Sequence, residues 1–312
     1  MPYPIEKKLV IAIASSALFN LEDSDRVFRE QGIEAYKTYQ LNNLDNTLEK
    51  GVAFPFIRRL LNLNKIFPDI EPVEVILLSK NNLETGLRVF RSIEKYGLQI
   101  SRAGFLSGKS PFEYISAFNA SLFLSANHED VRLAIENGFP AGMVINSHIE
   151  DDENDNELRI GFDFDGVLVD DQAEKVYQEN HDLAAFEKLE TGFQNIPHNP
   201  GPLKNLFSQL SYYQKIEVEL ASKNPDYKRL IRTAIITARN APSHERVVTT
   251  LRYWGVNADE IFFLGGIEKK RVLEILKPHL FFDDQLSHLE SAAGTIPSVH
   301  IPFGIVNNSV QK

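Results

Sequence analysis

Asp163-Phe164-Asp165-Gly166 closes an apolar run that begins at Leu158. Side chains two positions apart on an extended chain point the same way, so Asp163 and Asp165 face one side. Two carboxylates held together repel unless a cation offsets them, and a bound Mg²⁺ meets that need. Asp-Gly is also a common turn signal, so this pair alone leaves a simple capping role open. A second acidic pair, Asp283-Asp284, abuts Leu280-Phe281-Phe282, where unpaired charge is equally costly. Between the two pairs, Thr233-Ala234-Ile235-Ile236-Thr237 ends in a hydroxyl able to bond a phosphoryl oxygen. Pro242, Ser243 and Glu245 then mark a helix start whose free amides favour a nearby phosphate. Lys269-Lys270 follows Gly265-Gly266, and a lysine there could reach back over a strand end as a fixed positive charge. The chemistry these types point to is metal-assisted handling of a phosphoryl group.

Such residues need strands to hold them. Apolar runs with strand character recur at 9–14, 73–78, 122–124, 160–164, 233–236, 261–264 and 280–282, and helical patterns such as 53–63 and 243–253 lie between. Strands alternating with helices predict an α/β fold built on a mostly parallel sheet covered on both faces. At the carboxyl ends of parallel strands, the acidic pairs would project into the crevice where α/β proteins bind ligands.

Residues 150–157 (Glu-Asp-Asp-Glu-Asn-Asp-Asn-Glu) carry no apolar side chain and read as a solvated linker between residues 1–149 and 158–312. The two halves repeat. Ser79 and Thr237, Arg88 and Arg246, Gly97 and Gly255, Phe105 and Phe263, Gly108 and Gly266, and Phe123 and Phe281 are each 158 positions apart. Leu18 and Leu168, Tyr36 and Phe186, Gly51 and Gly201, and Leu60 and Leu210 are each 150 apart, which puts eight extra residues near 214–230. These offsets set Ile13 and Ser15 in place of Asp163 and Asp165, Pro111 in place of Lys269, and Ser125 and Ala126 in place of Asp283 and Asp284. The first half is expected to be a catalytically degenerate copy.

Composition narrows the partners. The chain has 312 residues, is 43% hydrophobic and has a formal net charge of -10, so a sizeable core is expected while nucleic-acid polymers and anionic membranes are disfavoured. No cysteine is present, which removes disulfides, thiol catalysis and thiolate metal sites. The apolar run at 9–14 is too short for a signal or membrane segment, and a cytoplasmic location is expected. Self-association into a homo-oligomer is compatible with all of this.

The order Asp-x-Asp, Thr, Lys, Asp-Asp, each at or just past a strand end, resembles the haloacid-dehalogenase-like phosphatases. Within them the chain is most similar to the cytosolic 5′-nucleotidases of type I and their bacterial relatives. The residues that carry this are Ser15-Ser16-Ala17-Leu18-Phe19, Gln31-Gly32-Ile33-Glu34-Ala35-Tyr36, Pro55-Phe56, Ser79-Lys80-Asn81, Ser125-Ala126-Asn127 and Pro278-His279-Leu280-Phe281-Phe282-Asp283-Asp284-Gln285. The resemblance implies Rossmann-like parallel sheets and an enzyme that hydrolyses nucleoside 5′-monophosphates through an aspartyl phosphate. It makes Asp163 the nucleophile and Asp165 the proton donor and later base, with Thr237 and Lys269 stabilising the transferred group. It assigns Mg²⁺ to Asp163, the backbone carbonyl of Asp165, Asp283 and Asp284, and the substrate to Thr237, Ala238, Arg239 and Lys269.

The resemblance also implies a small cap near 171–199, in which Tyr177, Phe186 and Phe193 are candidates for stacking on a base, although core packing is the commoner role for an aromatic there and none is assigned to the site. His244 and Arg246 begin a helix near the expected phosphate. Phe164 departs from the small residue that animal members carry there, which bears on nucleotide preference. A phosphatase of sugar phosphates or other small monoesters, and a nucleotide-binding regulator, are the competing readings.

Overall fold

A computed structural model describes residues 3–147, 151–173, 175, 183–292 and 294–308. The chain divides into two compact units, Met1–Asn146 and Ser147–Lys312.

In the first unit the strands are β1 (Leu9–Ile13), β2 (Val73–Ser79), β3 (Arg102–Phe105), β4 (Leu122–Ser125) and β5 (Ala141–Val144). They lie in the order β3-β2-β1-β4-β5, and each neighbouring pair is parallel. Every residue of β1 and β2 is buried, as the continuous apolar runs require of strands covered on both faces. In the second unit β6 (Leu158–Phe162), β7 (Ile231–Thr237), β8 (Glu260–Phe263), β9 (Leu280–Asp283) and β10 (Ser298–His300) are ordered β8-β7-β6-β9-β10, again with parallel pairs. β6 therefore has β7 on one side and β9 on the other, and the connections leave in opposite directions. This is the switch point at which open α/β sheets leave a crevice at the strand ends.

The predicted strands are found with ends within about two residues, as is usual for such boundaries. β3, β5 and β10 were not expected. β3 reads Arg-Ala-Gly-Phe and is only half-buried, β5 contains a glycine, and β10 is three residues long, so none forms an apolar run.

Corresponding hydrogen bonds to the backbone recur in both units. Gly51 N donates to Leu18 O at 2.9 Å and Gly201 N to Leu168 O at 2.8 Å. Arg88 Nε donates to Asn46 O at 2.9 Å and Arg246 Nε to Ile196 O at 3.0 Å. Leu48 N and His198 N donate to Ser92 Oγ and Thr250 Oγ1, each at 3.0 Å.

The register corrects one expectation. Ile13 pairs with Leu77 and Leu124 as Phe162 pairs with Ile235 and Phe282. Ala14 N then donates to Leu124 O, and Asp163 N to Phe282 O, both at 2.8 Å. Ala14, not Ile13, thus stands at the position of Asp163. Phe19 N bonds Ser15 O as Val169 N bonds Phe164 O, so Ser15 answers to Phe164 rather than to Asp165. The second unit has one more residue in this turn, which a constant offset of 150 could not reveal.

The eight extra residues of the second half fall in a long helix, Lys204–Lys223, and the loop after it; the helix at the same place in the first unit is Phe54–Ile66. Glu217 on the long helix is fully buried and accepts Leu230 N at 2.8 Å, Ile231 N at 2.9 Å and Tyr227 Oη at 2.7 Å. It caps the start of β7. In the acidic stretch, Asp155 and Glu157 each bond Arg159 at 2.7 Å, so this end is pinned to β6 rather than fully solvated.

Glu217→Ala is expected to leave one buried and one half-buried amide unpaired and to lower stability by about 2 to 4 kcal/mol, at one lost partner each. Urea denaturation of the purified variant measures this; a loss below about 1 kcal/mol would mean that water replaces the carboxylate.

Candidate active site

The Asp163 N–H bond to β9 carries the chain one extended residue beyond β6 and sets the carboxylate beside the end of β9. Phe164 N donates to Asp163 Oδ1 at 2.7 Å and fixes its orientation. Lys269, at the N-terminus of the helix Lys270–Leu276, places Nζ 2.8 Å from Asp163 Oδ2 and 2.7 Å from Asp283 Oδ2. Asp163, Lys269, Asp283 and Asp284 are all at most 5% exposed. The turn after Asp163 is tight. Gly166 has φ +70, and a Cβ there would lie 2.5 Å from Asp284 Oδ2, so only glycine lets Asp284 approach. The Asp284 backbone carbonyl accepts Asn307 Nδ2 at 2.9 Å and lies 3.0 Å from His300 Nε2, which ties it to β10 and the segment beyond.

Carboxylate oxygens of Asp163, Asp283 and Asp284 lie within 4.8 Å of one another. Three buried carboxylates face one ammonium, leaving a deficit of two positive charges. Burial, with Asp283 and Asp165 nearby, pushes Asp163 up to about 7 despite Lys269. Burial and the charges of Asp163 and Asp283 push Asp284 well above the usual carboxylate range. Burial acts the same way on Asp283, but Lys269 and His288 outweigh it and hold that group down. His288 Nδ1 is 3.3 Å from both Asp283 oxygens. Burial works against the ammonium of Lys269, yet the two carboxylates raise it. Asp284 Oδ1 is buried with no hydrogen-bond partner among the described residues. An orphaned carboxylate oxygen, an all-oxygen donor set and a two-charge deficit fit a hard divalent cation.

Asp165 lies in a different network. Arg239 grips it through Nε and Nη2 at 2.7 Å each, and the same guanidinium bonds Glu190 through Nη1. Glu190 is 1% exposed, accepts Arg246 Nη1 at 2.8 Å and lies 3.2 Å from His198 Nε2. Burial alone would raise Glu190, but His198 and Arg239 overcome it and hold it at about 2. The chain Asp165–Arg239–Glu190 thus orients Asp165 from a buried anchor. Arg239, expected against the substrate, has its donors on these two carboxylates. Its guanidinium also packs 5.3 Å from the Phe164 ring and 5.4 Å from that of Phe186.

Thr237 ends β7 with its hydroxyl accepting Arg239 N at 3.2 Å, and Ala238 beside it is exposed. Phe164 is fully buried, with His198 edge-on at 5.6 Å, so its bulk serves packing under Arg239. Phe186 is buried, and Phe193 lies 5.2 Å from the Arg246 guanidinium; Tyr177 falls outside the described residues. His244 stacks edge-on against Phe263 at 5.8 Å, and Arg246 turns toward Glu190.

Sequence reasoning passed over Glu190, His198 and His288. The five-residue step from Asp283 to His288, in the first turn of Leu286–Ala292, was a readable signal for the last. Glu190 had none, since Glu187-Lys188-Leu189-Glu190 looks like ordinary helix surface.

Glu190→Gln is expected to leave two buried guanidinium groups undercompensated and to cost about 3 kcal/mol, in the range for breaking a buried ion pair. The folded-state value lies below the ordinary one, so wild-type Glu190 contributes stability above about pH 4.5 that is lost as pH falls toward about 2. Urea titrations at pH 3 and pH 7 check the sign: the gap between wild type and variant should narrow at the lower pH.

Residues 1–308 match the family model for 5′-nucleotidase. The chain is 36% identical over 299 residues to human cytosolic 5′-nucleotidase 1B, covering 93% of this chain and 48% of that protein. It spans about half the length of that curated relative. The S. aureus MnaA-UDP co-structure overlaps at a TM-score of 0.18 and 9% identity, over 92% of this chain and 76% of that one, too slight a likeness to bear on the fold. Among the described residues no helix is long and apolar enough to cross a membrane. With a mixed α/β architecture of parallel strands and a match along nearly its whole length, the chain belongs to the 5′-nucleotidase family.

Proposed function

We propose that this chain hydrolyses nucleoside 5′-monophosphates in the cytoplasm, with Mg²⁺ held by Asp163, the Asp165 carbonyl, Asp283 and Asp284. The observation that carries the reading is Lys269 bridging Asp163 and Asp283 beside the unpartnered oxygen of Asp284. A site built this way calls for a cation and supplies a fixed nucleophile, and with the cation bound its positive charge would suit a phosphoryl group better than a neutral ligand. Family membership and the name of the human relative supply the nucleotide.

Asp163 attacks phosphorus through a carboxylate oxygen. The bond to the ribose oxygen breaks, its electron pair leaves on that oxygen, and Asp165 delivers a proton there. Water then attacks the aspartyl phosphate, gives a proton to Asp165, and phosphate departs with Asp163 regenerated. Lys269 and the Thr237 hydroxyl hold the phosphoryl oxygens, and Arg239 keeps Asp165 aimed. When bound, the cation neutralises charge shared by the carboxylates and the phosphoryl group.

We read the two units as tandem copies, divided near residues 150–157, with the first catalytically silent. The shared strand order and the repeated bonds of Gly51 and Gly201, and of Arg88 and Arg246, support this. Ala14 and Ser125 stand where Asp163 and Asp283 do, so no divalent site is expected there.

Asp163→Asn should abolish turnover of nucleoside monophosphates with the fold retained; circular dichroism and a phosphate-release assay test it. More than about a hundredth of wild-type activity would sink the nucleophile assignment. Excess chelator should stop turnover and added Mg²⁺ restore it, and full activity in chelator would rule out the cation's role.

A further inference from the structure

The first unit, which has Ala14 and Ser125 where Asp163 and Asp283 stand, is not filled in. A cavity of about 730 Å³ opens at the carboxyl ends of its strands, within the size range of small-molecule sites. Its floor is a set of buried hydroxyls, Ser15, Ser79 and Ser125, at 4%, 3% and 1% exposure. Ser15 Oγ and Ser79 Oγ lie 3.0 Å apart, and Asn81 Nδ2 donates to Ser15 Oγ at 3.3 Å. Tyr36 Oη donates to Asn81 Oδ1 at 3.2 Å, joining the floor to the helix Glu22–Asn42. On that helix Phe28 sits edge-on to Tyr36 at 5.8 Å, and Phe28 and Ile33 are 49% and 56% exposed where they line the cavity.

Charge distinguishes this cavity from the site at Asp163. Three acidic residues (Glu22, Asp25, Asp130) and three basic ones (Arg29, Lys37, Lys80) line it. Lys80 is paired with the buried Asp130 at 2.9 Å and Lys37 with Glu34 at 2.8 Å. The lining is therefore balanced. It offers no excess charge to a phosphate and no acidic cluster to a metal, but it combines an aromatic wall with a floor of hydroxyl and amide groups. A ligand that suits it is neutral, has one flat apolar face, and carries several hydroxyls.

We propose that the first unit binds a nucleoside, the uncharged product of the reaction assigned above, at this cavity; the choice of ligand rests on that assignment. Phe28 and Tyr36 meet the base, and Ser79 and Asn81 meet ribose hydroxyls.

Calorimetric titration of the full chain with adenosine and with uridine tests it. Phe28→Ala changes an exposed side chain and Tyr36→Phe removes one hydroxyl, so both variants should fold and hydrolyse an aryl phosphate as wild type does. Each is expected to weaken nucleoside binding, Phe28→Ala by about tenfold. Binding unchanged in both variants, or no binding of either nucleoside at millimolar concentration, overturns the proposal. So does a monophosphate that, in Asp163→Asn protein, binds the Phe28-sensitive site about tenfold more tightly than its nucleoside, because the lining would then be selecting charge. If monophosphates are not hydrolysed but Phe28-sensitive nucleoside binding persists, the catalytic reading fails and this one stands; the reverse result separates them the other way.

Discussion

Three aspartates with almost no access to water share one lysine, and the architecture around them can be understood as what it takes to keep them there. An isolated buried carboxylate would take up a proton or draw the chain open toward solvent. Lys269 opposes this for two of the three by sitting between Asp163 and Asp283 at 2.8 and 2.7 Å, and with His288 it outweighs burial at Asp283, whereas Asp163 stays raised. That bridge needs β6 and β9 to be neighbours, so that the two carboxylates emerge side by side. It also needs a helix beginning at Lys270 to deliver the ammonium from above the strand ends. The third carboxylate, on Asp284, is admitted by the missing Cβ of Gly166, and the backbone carbonyl of Asp284 is held by Asn307 and His300. Its partnerless oxygen marks where the balance is incomplete.

Much of this was legible in the residues alone. Strands that end in Asp163, Thr237 and Asp283 are short apolar runs flanked by polar turns, and burial on both faces makes such runs continuous rather than alternating. The carboxylates could be found because a charge next to a fully apolar strand is anomalous by itself. Arg239 and Glu190 were another matter. One looked like a residue for the substrate and the other like helix surface, and only the fold shows that they neutralise each other and steer Asp165. The one-residue change in the turn after β6 was likewise invisible to a constant spacing, since an insertion in a loop leaves the flanking apolar patterns in phase.

The two units share a strand order and a set of backbone bonds but present different side chains at the strand ends. The same amide-to-carbonyl bond that presents Asp163 presents Ala14, and the N–H that meets Asp283 in one unit meets Ser125 in the other. Where the second unit spends its strand ends on charge, the first closes a network of Ser15, Ser79, Asn81 and Tyr36 hydrogen bonds. Neutral groups of this kind need no counter-ion to remain buried, provided each finds a partner.

The buried Glu190 carries a lesson for anyone reshaping selectivity. It belongs to the helix Leu183–Gly192, in the segment between β6 and β7 that a protein engineer would treat as a replaceable module. Yet it is ionically welded to Arg239 and Arg246, which belong to the scaffold after β7. A graft from a relative would have to bring its own acid at this point or be accepted by a scaffold with both arginines recoded. The segment between β6 and β7 and the scaffold after β7 are thus tied by charge, and a change in one requires a matching change in the other.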